Sequence, residues 1–152
     1  MKFIDTNVMV YVADDTDAAR QMVARGIVQK ALSSDEYVIS AQVLNEFSSV
    51  LFKKLKKTSL EVDRFLTIIE GVRTVAVKPG WTRKAIRLME RYGTQFFDSL
   101  LLVAAAENGC DEILTEDLND GQMYGSVKAV NPFKNASHKS CNEADEDIVS
   151  LG

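Results

Sequence analysis

Lys2-Phe3-Ile4-Asp5-Thr6-Asn7-Val8-Met9-Val10-Tyr11-Val12-Ala13 sets the fold class of this chain. Lys2–Ile4 is a short β-rich run that stops at a carboxylate, and Thr6–Ala13 has the mixed periodicity of a helical turn or short helix. The same pairing of short strand and longer helix recurs downstream. Asp15, Thr16 and Asp17 offer N-caps for a helix over 17–32, with Ala18, Met22, Ile27 and Ala31 on its inner side. Tyr37–Ile39 is a second strand, followed by a helix over 41–56 capped by Ser40 and another over 59–72 capped by Ser59. Thr74–Val77 is a third strand, and Pro79-Gly80 breaks the chain before a helix over 81–92 that Gly93 ends. Residues 97–107 are apolar nearly all the way round, which marks a buried helix closed by Gly109. Glu112–Leu114 and Ser126–Val130, with a polar turn between them, complete the strands. No internal repeat is visible. Strands alternating with helices specify an α/β fold with a central parallel sheet covered on both faces.

The 152 residues, 46% hydrophobic and 26% charged, suit one domain that buries roughly 68–70% of its unfolded surface. Apolar density falls after Lys134, so the expected division is a domain over 1–134 and a polar acidic tail over 135–152, partly disordered. No apolar run reaches the ~18 residues of a membrane span and no basic-then-apolar leader is present. The expectation is a cytoplasmic protein with no membrane partner. Cys110 and Cys141 are too few for a disulfide framework and lack metal-site spacing. His138 is the only histidine, which argues against His-based zinc sites and against Ser–His or Cys–His nucleophiles. Any catalysis must then run on carboxylates.

Four acidic positions stand out. Asp5 ends the first strand, where open α/β sheets bind ligands, and equally suits an N-cap. Glu46 falls at the border of the face formed by Val43, Phe47, Val50 and Leu51, from which it can reach inward or snorkel outward. Asp98 sits in Phe96-Phe97-Asp98-Ser99-Leu100-Leu101, where an unpaired carboxylate is costly unless a cation, donors or a metal matches it. A helix N-cap supplies such donors, and still leaves its second oxygen free. Leu114-Thr115-Glu116-Asp117-Leu118-Asn119-Asp120-Gly121 follows a strand and reads as a turn or as a further edge of the same site. Together these are hard oxygen ligands suited to Mg²⁺ or Mn²⁺. Carboxylates holding such ions without histidine point to phosphodiester hydrolysis, with Glu46 or another acid holding or deprotonating the attacking water.

Charge is unevenly distributed. The net charge is −4, yet residues 52–91 carry eleven Lys/Arg against four acids, or +7, leaving −11 for the rest. A basic surface beside an acidic pole suits a polyanion bound through a cation, or simply two solvated faces.

Phe3-Ile4-Asp5-Thr6-Asn7-Val8, Val43-Leu44-Asn45-Glu46, Phe97-Asp98-Ser99-Leu100 and Leu114-Thr115-Glu116-Asp117-Leu118 stand in the order and approximate spacing of the PIN-domain nucleases. Over residues 1 to about 133 the chain most resembles the VapC-like toxin ribonucleases of prokaryotic toxin–antitoxin pairs. The resemblance implies a three-layer α/β/α sandwich and a metal-dependent endoribonuclease using Mg²⁺ or Mn²⁺. It implies metal-coordinating roles for Asp5, Asp98 and Asp117, with Glu46 as fourth acid and Thr6, Asn7 and Thr115 as supports. Many members carry a further aspartate where this chain has Asn119, and Asp120 lies one step beyond. A homodimer and a small antitoxin inserted near the acidic cleft are also implied.

Arg83, Arg87 and Arg91 repeat every four residues and share a helix face, while Lys53, Lys54, Lys56 and Lys57 cluster near the end of the Glu46 helix. Either group suits RNA phosphates, and the lysines equally suit a helix C-terminus. Trp81 and Tyr92 flank the arginine row as base-stacking or core residues. The leading expectation is therefore a toxin endoribonuclease. The alternatives are a housekeeping RNA-processing or DNA nuclease of the same fold, and a degenerate or receiver-like module that binds metal or a partner without cutting.

Overall fold

In the computed structural model, residues 1–136 are described. Most of the expected tail, with His138 and Cys141, lies outside the described residues. The chain runs β1 (Lys2–Ile4), α1 (Thr6–Val10), α2 (Ala18–Ser33), β2 (Tyr37–Ser40), α3 (Ala41–Lys53), α4 (Ser59–Ile69), β3 (Thr74–Val75), α5 (Trp81–Tyr92), α6 (Phe96–Glu107), β4 (Glu112–Leu114), β5 (Met123–Tyr124) and β6 (Val127–Val130). The six strands form one sheet in the order β3-β2-β1-β4-β6-β5. All pairings are parallel except β5 with β6, so the expected parallel sheet carries an antiparallel edge. β5 arises because Gly125, at φ 62°, lets the chain turn back between the paired Tyr124 and Val127. This is the α/β/α sandwich expected of the sequence.

The order of strands locates a site. The chain winds outward from β1 through β2 to β3, then returns across β1 to lay down β4 on its other flank. β1 and β4 thus bound the switch point of the sheet, where neighbouring crossovers leave in opposite directions and open a crevice at the carboxyl ends. Phe3, Ile4, Val38, Ile39, Ile113 and Leu114 on the central strands are all buried. Near-continuous apolar strands are what a sheet covered on both faces requires. α6 is buried from Ser99 through Ala105, as its all-round apolar sequence demands.

Several local expectations shift. α2 begins after Asp17, whose side chain accepts from the Arg20 N–H, but its inner face is Ala24, Val28 and Ala31. Ile27 is half-buried and Met22 is 64% exposed, a face rotated from the expected Ala18, Met22, Ile27, Ala31 line. α3 stops at Lys53 rather than 56, because Lys56 adopts φ 54° and cannot continue a right-handed helix. Ser40 occupies the N-cap position of α3 without a side-chain capping bond. For α4 the cap is Thr58, not Ser59: its hydroxyl accepts from the Glu61 N–H at 3.2 Å and donates to the Glu61 carboxylate at 3.2 Å. The cap thus has a side-chain bond to Glu61 beside its bond to the backbone. β3 spans only Thr74–Val75, and Gly93, left-handed at φ 69°, ends α5 as expected.

Candidate active site

The register of β1 against β4 builds the first half of the site. Ile4 pairs with Leu114, and the Asp5 N–H donates to the Leu114 carbonyl at 3.0 Å. The next residues, Asp5 and Thr115, therefore emerge side by side. The Thr115 hydroxyl donates to Asp5 Oδ2 at 2.7 Å and accepts from the Asn7 amide at 3.2 Å and the Asp117 N–H at 3.1 Å. Asn7 Nδ2 also reaches Asp5 Oδ2 at 3.2 Å, and Asn7 Oδ1 accepts from the Glu116 N–H at 3.4 Å. One buried threonine and one asparagine thus fix the aspartate of β1 and the backbone that carries Asp117. Asp5 stands at the N-cap position of α1 but makes no side-chain cap bond, because its Oδ2 is spent on Thr115 and Asn7.

The second half comes from the helices. Asp98 lies in the first turn of α6, whose N-cap position belongs to Gln95, so it is not the cap. Glu46, half-buried on α3, accepts from the Thr6 hydroxyl at 3.1 Å and from Gln42 Nε2 at 3.0 Å. The buried Gln42 amide also donates to the Phe97 carbonyl at 3.1 Å, tying α3 to the start of α6 beside Asp98. Its position gives no signal in the sequence, since a glutamine between an alanine and a valine reads as an ordinary helix residue.

Asp5, Asp98 and Asp117 each direct a carboxylate oxygen into a common space, with these atoms within 4.8 Å of one another. Two Mg²⁺–oxygen bonds of ~2.1 Å span ~4.2 Å, so one hard cation fits this separation after small side-chain adjustments. Among the described residues none of the three forms a salt bridge. Burial pushes the Asp5 carboxyl up to about 7; the Thr115 hydrogen bond opposes this, and the charges of Asp98 and Asp117 add to it. Burial, then Asp117 and Glu46, raise the Asp98 carboxyl as well. Asp5 and Asp98, both disfavoured as anions, form with Asp117 an all-oxygen donor set that an oxygen-seeking divalent ion fits.

These acids lie between two grooves. On one side is a cleft of about 480 Å³ whose lining includes Glu46, Tyr11, Asp14, Glu116 and Lys54. At its rim the Tyr11 hydroxyl donates to Glu116 at 2.6 Å, and Arg20 donates to Glu116 at 3.3 Å and to Asp17 at 2.9 Å. The Arg20 guanidinium lies 5.8 Å from the Tyr11 ring and 5.7 Å from that of Phe133. This clasp joins α1, α2 and the segment after β4. No sequence pattern exposes it, because its members come from opposite ends of the domain.

Of the expected basic residues, Lys54 lines the acidic cleft, whereas Lys53 is exposed outside that lining. Arg83, Arg87 and Arg91 are all exposed along α5, and none lines the acidic cleft. Trp81 is buried, which removes it as a base-stacking residue. Asp120 accepts from the Asn131 N–H at 2.8 Å and from Lys134 at 3.0 Å. It is thereby turned away from the cluster and does not replace the aspartate that Asn119 lacks.

Comparison with known proteins agrees with this architecture. VapC20 of Mycobacterium tuberculosis, described as a sarcin-ricin loop cleaving toxin, is similar in structure, with a TM-score of 0.64 at 17% identity over 77% of this chain and 90% of that one. A toxin-antitoxin complex from Klebsiella pneumoniae gives 0.63 at 14% identity, over 87% of this chain and 98% of the other. At such identities the likeness is one of fold. No curated protein sequence matches. The PIN domain family model matches residues 2–120, the span that contains all four acidic positions and the sheet through β4. The chain belongs to the PIN-domain family.

Proposed function

We propose that the protein is a metal-dependent endoribonuclease that hydrolyses RNA with a water nucleophile, and that it is the toxin of a toxin–antitoxin pair. The observation that carries the reading is the convergence of Asp5, Asp98 and Asp117, from distant points of the chain, into one cluster at the sheet's switch point, none of them in a salt bridge among the described residues. The two similar structures, a sarcin-ricin loop cleaving toxin and a toxin–antitoxin complex, support the substrate class and the partner. Homodimerisation belongs to the same reading.

Asp5, Asp98 and Asp117 would hold Mg²⁺ or Mn²⁺, which when bound would supply charge neutralisation at the scissile phosphate and lower the pKa of a water. Thr115 and Asn7 keep the Asp5 carboxylate aimed into the cluster and occupy its outer oxygen. Glu46, held by Thr6 and Gln42, takes the proton of the attacking water or orients it. The exposed arginines of α5, with Lys53 and Lys54, bind phosphates at a distance from the reacting bond.

The test is cleavage of labelled single-stranded RNA with Mg²⁺ or Mn²⁺ and after exhaustive chelation. The expected products carry 5′-phosphate and 3′-hydroxyl ends, and chelation abolishes them. Full activity in chelator excludes the metal role, and 2′,3′-cyclic phosphate ends show that the ribose hydroxyl attacked instead. Growth arrest on induced expression of wild type, but not of Asp98→Asn, tests the toxin assignment.

A further inference from the structure

The Asp98–Asp117 pair is shared by two grooves of nearly equal size but different charge. The acidic cleft carries six carboxylates, those of Asp5, Asp14, Glu46, Asp98, Glu116 and Asp117, against Lys54 alone among the described residues. The second groove, about 500 Å³, has no charged lining residue among them except Asp98 and Asp117. Its walls are neutral and hydrogen-bonding: Thr94 and Gln95 at the start of α6, Asn119 after β4, and the rings of Tyr92 and Tyr124. The two rings pack edge to face with centroids 5.2 Å apart. At its α5 end the Arg91 guanidinium lies 5.1 Å from the Tyr92 ring, which brings the last member of the arginine row to this groove.

We infer that the RNA strand beside the scissile phosphate lies in the Tyr92–Gln95–Asn119 groove and not in the acidic cleft; the inference rests on the nuclease reading and adds the path of its substrate. The sign of the charge decides between the grooves. A divalent ion on Asp5, Asp98 and Asp117 offsets two of their three charges and leaves the second groove, which has no other charged lining residue among the described residues, close to neutral. The acidic cleft keeps Asp14 and Glu46 against Lys54, with Glu116 paired to Arg20 at its rim, and so still presents a net negative wall to a polyanion. Phosphates one nucleotide from the reacting bond lie within a Debye length of about 8–10 Å, where that difference is felt. The neutral groove also supplies what single-stranded RNA uses: the exposed Gln95 amide and the Asn119 side-chain carbonyl for base edges and sugar, and the half-buried Tyr92 ring at its end. Asn119 contributes here because it is not an aspartate, a carboxylate there being a third negative charge in this groove.

Gln95 is the place to test it, because it is exposed and makes no side-chain cap bond to α6. Gln95→Glu and Gln95→Lys are compared with wild type and with Asp14→Asn, which removes one charge from the acidic cleft. The readout is anisotropy of a mixed-sequence, single-stranded phosphorothioate RNA in Mn²⁺ at several salt concentrations, with melting curves as the folding check. Gln95→Glu is expected to weaken binding and Gln95→Lys to tighten it, each by about two- to fivefold. The Lys variant is expected to steepen the salt dependence of log K by ~0.7. Asp14→Asn is expected to change neither. Silent Gln95 variants beside a wild type that binds RNA overturn the groove assignment and leave the nuclease reading standing. A tightened Asp14→Asn under those conditions moves the strand to the acidic cleft. A wild type that neither binds nor cuts RNA overturns the nuclease reading, and the groove assignment with it.

Discussion

Asp5 is the residue on which stability and chemistry pull in opposite directions. Its folded-state pKa of about 7 lies above the ordinary value of 3.8, with burial as the main cause. The native state therefore binds this proton more tightly than the unfolded chain does. The associated stability is fully present below about pH 4 and is lost as pH rises through about 7. Chelated protein is accordingly expected to melt at a lower temperature at pH 8 than at pH 5.5, by an amount reflecting ~2 kcal/mol. Asp98, shifted in the same direction, adds to the trend. Proton and metal compete for the same oxygens, so Mn²⁺ added to chelated protein should raise the melting temperature more at pH 8 than at pH 5.5. Thermal melts with and without Mn²⁺ at the two pH values check both statements; a metal effect equal at both would show that the ion binds elsewhere. The acids themselves are legible in the sequence because an aspartate among Phe, Leu and Ile demands an explanation. Tyr11, Gln42 and Arg20 are not, since a half-buried hydrogen bond leaves no mark on hydrophobic periodicity.

At the level of elements, two side chains carry predictions with different signatures. Thr58 caps α4 through a reciprocal pair with Glu61, at the turn between α3 and α4 and far in sequence from the three aspartates. Thr58→Ala should cost about 1 kcal/mol in chemical denaturation and leave RNA cleavage unchanged. Gln42 bridges Glu46 on α3 and the Phe97 carbonyl at the first turn of α6. Gln42→Ala removes both bonds and frees Glu46 to turn outward, so kcat should fall while KM for RNA stays near wild type. A kcat loss no larger than that of Thr58→Ala would make Gln42 a packing residue only. Helix boundaries are legible where composition changes sharply, as at Gly93. They are not where backbone geometry intervenes: Lys56 in a left-handed conformation cuts α3 short, and Thr58 outcompetes Ser59 because only Thr58 has Glu61 three residues on. β5 leaves no trace in the sequence because a two-residue strand has no periodicity to read.

For the whole molecule, what is legible is the winding order of strands and helices, and with it the edge of the sheet where the acids gather. Which acids meet is carried by the family resemblance and by the Ile4–Leu114 register, neither of which composition reveals. Charge has the same two-level character. A net charge of −4 hides a basic segment of +7, and its arginines 83, 87 and 91 are exposed on α5, outside the acidic cleft. Binding and chemistry should therefore separate by mutation. Asp98→Asn removes a negative charge from the cluster, so RNA binding should persist or tighten while turnover falls by several kcal/mol of transition-state stabilisation, on the order expected for a misplaced metal. Arg87→Glu leaves the three aspartates and their supports intact, so Mn²⁺ affinity should remain at the wild-type value. RNA affinity should fall, and the salt slope of log K should shrink by about 0.7 for each phosphate no longer neutralised. Calorimetric Mn²⁺ titration and salt-dependent anisotropy measure the two quantities independently. An Arg87→Glu slope equal to wild type would reduce the α5 row to a solvated helix face. Phosphate binding would then fall to the lysine cluster near the end of α3, Lys53, Lys54, Lys56 and Lys57.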